Sequence, residues 1–155
     1  MDNNQDYCSY ELSKALKSAG FNEPCDKWIA SKSFSYYDED ECCDHNAVIR
    51  KGWLISQKQK DRYDKEALPY LSLWQAQKWL RERKGIAINV IAHDCSDKYR
   101  EGKYHWMEVY LPNCNENSPQ WMDWFTYGKH PLFDTYEGAL SDGLLQMLEL
   151  IKKGE

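Results

Sequence analysis

Apolar positions along the chain fall into stretches of two different periods, with polar runs between them. In residues 9–19, Leu12, Ala15, Leu16 and Ala19 recur at helical spacing, with Lys14 and Lys17 on the wet side. Gly20 then stands where a left-handed C-terminal cap is wanted, Phe21 follows to pack back on Leu16, and Pro24 shows that the helix has ended. Residues 27–37 and 48–55 are rich in β-branched and aromatic residues and predict strands. Between them Asp38, Glu39, Asp40, Glu41 and Asp44 make a turn too charged to bury. Residues 57–66 are polar throughout, which predicts an exposed loop or frayed helix and makes 57–68 the segment expected to move most.

Ser72 and Gln75 have the spacing of a capping box, and a helix to Lys84 follows, closed by Gly85. Its apolar stripe is Leu73, Ala76, Gln77 and Leu80, widened by Trp74 and Trp79, so both Trp74 and Leu80 are expected in the core. Residues 86–92 alternate around Ile86, Ile88, Val90 and Ala92, as a strand with apolar residues on both faces would. Residues 104–111 and 121–127 predict two more strands and complete an antiparallel meander of three. The last helix starts at Thr135 with Glu137 in its first turn and runs through Leu140, Leu144, Met147, Leu148 and Ile151. Gly143 beside that stripe predicts a close approach of helix backbone to the sheet. The expected fold is α+β: one domain over 1–155, mainly antiparallel, with about three helices on one face.

A length of 155 residues sits within the prior for one domain, and 42% hydrophobic residues exclude a wholly disordered chain. No charge-free stretch approaches the ~18 apolar residues of a membrane span. The start, MDNNQDYC, has neither a basic nor an apolar leader region. A protein of the cytoplasm without membrane contact is expected, and the six cysteines are read as reduced thiols.

Cys42, Cys43, His45, His93 and Cys95 are the residues nearest to a metal set, but neither local group has the standard ligand spacing, so no metal and no cofactor is expected. His93, Asp94, Cys95, Asp97, His105 and Glu108 contain the residue types of a Cys-His or acid/base site. His105 and Glu108 lie three apart on a strand, however, and point to opposite faces. No hydrolase, phosphate-loop or dinucleotide fingerprint is present, and no catalytic residue is assigned. Arg50, Lys51, Lys58, Lys60 and Arg62, with Lys65, form a basic patch, and Lys78, Arg81, Arg83 and Lys84 line a helix. With a net charge of -5 and acids interspersed, a solvated face is preferred over a nucleic-acid site.

Seven Trp and eleven Tyr exceed what a core of this size needs. Tyr104, Trp106 and Tyr110 share one strand face, and Trp121 and Trp124 alternate across the next strand. One of these faces, left uncovered, would be an aromatic platform for a partner protein or a flat ligand, with one of Trp121 and Trp124 structural and the other exposed.

The run Leu73-Trp74-Gln75-Ala76-Gln77-Lys78-Trp79-Leu80-Arg81-Glu82, then Gly85-Ile86, resembles a family of small uncharacterised proteins from phages and mobile elements of gut Bacteroidetes. Ala19-Gly20-Phe21, Glu23-Pro24-Cys25-Asp26 and the C-terminal Thr135-Tyr136-Glu137-Gly138-Ala139-Leu140 are similar to that family in the same order, and 34–70 matches least. The resemblance implies an accessory gene acting in a bacterial cytoplasm and carries over no catalytic residue. The function expected is non-enzymatic binding of a host or phage protein, in counter-defence or host takeover. The alternative is a nucleotide-like ligand in an aromatic pocket, bound or hydrolysed, and a homodimer is compatible with either.

Overall fold

The computed structural model describes residues 6–31, 41–43, 47–92, 104–110 and 132–153. The chain is α+β, with antiparallel strand pairs among the described residues, and it divides into two compact units, one built on Tyr7–Ser72 and the other on Leu73–Met147. Among the described residues each holds its own sheet, and the strands over 25–31 and 47–55 pair within the first.

In the first unit, α1 (Tyr10–Ser18) starts at Ser9, whose Oγ accepts the Leu12 amide at 3.2 Å, and buries Leu12, Ser13, Ala15 and Leu16. Gly20 takes φ +92°, and the Phe21 amide donates back to the Leu16 carbonyl at 3.0 Å, closing the predicted left-handed cap. Strands β1 (Cys25–Ser31), β2 (Glu41–Cys43), β3 (Ala47–Ile55) and β4 (Leu68–Pro69) form a sheet in the order β2-β3-β1-β4. Ile29 lies opposite Ile49 on one side and Leu68 on the other, and Tyr10 and Tyr70 pack against this cluster. Trp28 and Ala30 on the opposite face of β1 are buried as well, so β1 is covered on both sides. Pro69 lacks an N–H, which a two-residue edge strand tolerates.

The polar segment after β3 forms one turn of helix, α2 (Gln57–Lys60), held by a capping box: Ser56 Oγ accepts from the Gln59 amide and Gln59 Oε1 from the Ser56 amide. Gln57 is buried, and its Nε2 donates to Asp61 Oδ1 at 2.8 Å and to the Ala67 carbonyl at 3.1 Å. Lys17 on α1 reaches the same place, with its ammonium on the carbonyls of Lys65 and Ala67 and 3.2 Å from Asp61 Oδ1. The polar composition predicts an exposed loop or frayed helix; the structure gives a single capped turn, with long-range bonds from Lys17 and Gln57 joining the segment to the rest of the unit.

The second unit holds α3 (Leu73–Lys84), β5 (Ile86–Ala92), β6 (Tyr104–Tyr110) and, as far as Met147, α4 (Tyr136–Lys153). Gly85, at φ +67°, turns the chain from α3 straight into β5. β5 and β6 pair from Ile86 opposite Tyr110 to Ala92 opposite Tyr104, and Phe133 bridges to Tyr104. Residues 121–127, expected as the third strand, lie outside the described residues. Thr135 Oγ1 accepts the Gly138 amide at 3.0 Å, the N-cap that the sequence predicts for α4. α4 meets the β5–β6 pair at Gly143, where a Cβ would stand 2.8 Å from Trp106 and 2.9 Å from Ile88. Glycine is there because the helix backbone presses directly on two fully buried side chains.

Candidate functional site

Trp106 does not belong to an exposed platform. It is 1% exposed, beneath α4, and its indole N–H donates to Asp142 Oδ2 at 2.8 Å. The face that Tyr104, Trp106 and Tyr110 share is therefore packed at its centre, and His105, 4% exposed, shows that the opposite face is covered there as well. Tyr104 is half-buried, its ring edge-on to Tyr136 with centroids 6.3 Å apart. Tyr110 is placed by backbone pairing with Ile86. Its side chain, with Trp121 and Trp124, is outside the described residues.

Lys51, Lys58 and Arg62 are exposed, while Lys60 is half-buried with its ammonium 5.9 Å from the centre of the Trp28 ring. Arg50 is fixed in β3 opposite Trp28, its side chain not described. No three His, Cys, Asp or Glu side chains gather among the described residues. Cys42 and Cys43 are placed by backbone only, and His45, His93 and Cys95 fall outside. His105 is buried on β6. Cys8 and Cys25 are free, buried thiols. Burial pushes both up to about 12, with Asp26 adding to the rise at Cys25 and Lys60 opposing it, so neither is a thiolate nucleophile at neutral pH. Among the described residues no helix is long and apolar enough to cross a membrane.

The side chain that stands out is one assigned to the core by its sequence pattern. Leu73, Ala76, Trp79 and Leu80 are buried on α3, but Trp74 is 62% exposed. The reason is angular. At about 100° per residue, Trp79 extends the Leu73–Ala76–Leu80 stripe on the Ala76 side, whereas Trp74 falls about 100° round the other way from Leu73. Gln77 takes the border of the stripe, its Nε2 donating to the Ile88 carbonyl at 2.7 Å and tying α3 to β5.

Trp74 shares its outward face with Lys78 and Arg81, at i+4 and i+7, so the three make a stripe about 10 Å long. The Lys78 ammonium lies 5.6 Å from the Trp74 ring centre and 4.0 Å from Glu82 Oε1. Both partners of that ion pair are about half exposed, where such a pair contributes little. Lys78 can exchange it for a partner's carboxylate at small cost. Trp74 leaves on the order of 150 Å² of mainly apolar surface in water, which on complete burial corresponds to about 3–4 kcal/mol. A helix thus presents one large aromatic anchor followed along the same face by two cations, and Trp and Arg are among the side-chain types enriched where binding energy concentrates. The signal for it in the sequence is the company Trp74 keeps: Lys78 and Arg81 share its side of the helix, while the residues stacked with Leu73 in the next two turns are Ala76, Gln77 and Leu80.

No protein family, curated protein or solved structure matches this chain.

Proposed function

We propose that the chain is a non-enzymatic binding protein that docks on another protein through the outward face of α3, with Trp74 as the anchor. The observation that carries this is the exposure of Trp74 on a helix whose other large apolar residues are buried. A tryptophan so placed does nothing for the core of its unit, and a partner is what would use it. The resemblance of 73–86 to phage and mobile-element proteins of gut Bacteroidetes supplies the setting: an accessory protein in the bacterial cytoplasm, acting on a host or phage protein in counter-defence or host takeover. The nucleotide reading loses a ring it relied on, because Trp106 could stack on a base only by leaving its packed position and its bond to Asp142.

The test is capture from a Bacteroidetes lysate by wild-type protein, by Trp74→Ala and by Lys51→Ala, a surface control in the other unit. Wild type and Lys51→Ala are expected to retain the same discrete protein, and Trp74→Ala to lose it while melting at an unchanged temperature. If nothing is captured while the purified protein turns over a nucleotide or peptide library, the binding reading is wrong.

A further inference from the structure

Resting on the binding reading above, we infer that the surface recognised by the Trp74–Lys78–Arg81 stripe is an acidic protein surface with an apolar recess for the indole. α3 carries Lys78, Arg81, Arg83 and Lys84 against a single carboxylate, Glu82, in a chain whose net charge is -5. The helix is a basic island on an acidic protein, with the indole at one end of the stripe and its two outward cations beyond it along the same face. Complementary charge around an apolar centre speeds encounter and suppresses wrong partners, while the buried anchor holds the complex.

Nucleic acid shares the negative charge but fits this arrangement less well. Phosphate binding needs cations in a track that follows the backbone. Here only Lys78 and Arg81 share the face of the ring. Arg83 is about 180° from Trp74 around the helix, and Lys84 leans over Trp79, 5.7 Å from its ring centre. Two cations on one side of an aromatic make a short patch, which suits carboxylates beside an apolar recess.

The experiment is capture from lysate with and without nuclease treatment, at low and high salt, quantified for wild type, Trp74→Ala, Lys78→Arg and the reversal Lys78→Glu with Arg81→Glu. The expected result is one Asp- and Glu-rich protein, reduced about tenfold by Trp74→Ala, by the double reversal and by raised salt, and retained by Lys78→Arg. Capture that survives the reversal but not Trp74→Ala overturns the acidic partner and leaves the binding reading standing. Capture indifferent to Trp74→Ala overturns both. Capture abolished by nuclease assigns the face to nucleic acid, and a wild-type dimer in sedimentation that the reversal splits assigns it to a second copy of the chain; either result overturns the inference.

Discussion

Replacing Gly143 by alanine tests the packing of the second unit at its tightest point. The added methyl would lie 2.8 Å from Trp106 Cδ2 and 2.9 Å from Ile88 Cγ2, distances that carbon atoms do not tolerate. Neither neighbour has room to withdraw: each is 1% exposed, and Trp106 is held by its bond to Asp142. Forcing a methyl into a full core costs about 1–3 kcal/mol, and two simultaneous clashes against immobile groups place this case toward the upper end. Alanine returns about 1 kcal/mol through its helix propensity. The net loss is about 1–2 kcal/mol, a fall in Tm of about 2–8 °C for a chain of this length. Gly52→Ala is the control, since nothing lies within 4 Å of a Cβ there, and it should melt within about 2 °C of wild type. Thermal melts followed by circular dichroism decide the matter. A Gly143→Ala protein as stable as wild type would refute the close approach of α4 to β5 and β6.

Leu80→Ala should cost about 2–5 kcal/mol because Leu80 is fully buried, whereas Trp74→Ala should stay within about 0.5 kcal/mol, as urea titrations will show. Lys17→Met removes two bonds from an ammonium to carbonyls and an ion pair, on a side chain that is a quarter exposed. About 1–2 kcal/mol should be lost, with faster proteolysis between α2 and β4. The thiols of Cys8 and Cys25 give a sign for alkaline pH. Above about 9 the unfolded chain releases their protons while the folded chain keeps them until about 12, so the folded state binds more protons and stability falls as pH rises across that window. The slope is up to about 1.4 kcal/mol per pH unit for each thiol. Cys8→Ala with Cys25→Ala should therefore decline less steeply over that range, and an unchanged slope would show that burial does not hold these thiols protonated.

What the sequence made legible was local and periodic. The left-handed cap at Gly20, the N-cap at Thr135, the buried Ile86 and Ile88 and the contact at Gly143 each follow from a few residues whose spacing admits one geometry. The capping box at Ser56 and Gln59 has the same spacing as Ser72 and Gln75, but the polar residues around it hide the turn. The role of Lys17 is beyond any pattern, since its partners lie 48 and 50 residues away. The division into two sheets was equally hidden, because strand periodicity does not say which strands pair. At the candidate site the error was angular and instructive. Trp74 and Trp79 both border the apolar stripe, and hydrophobicity ranks them alike, yet only one side of the stripe is covered. Trp106 failed the other way: surplus aromatics suggested an exposed ring, and the contacts of Gly143 and Asp142 enclose it.

Site-specific photocrosslinking tests the central claim most directly. With p-benzoylphenylalanine in place of Trp74, irradiation in lysate should give one discrete adduct, while the same group in place of Lys51 should give none. An adduct from position 51 alone, or none from position 74 with the protein folded, would contradict docking through α3.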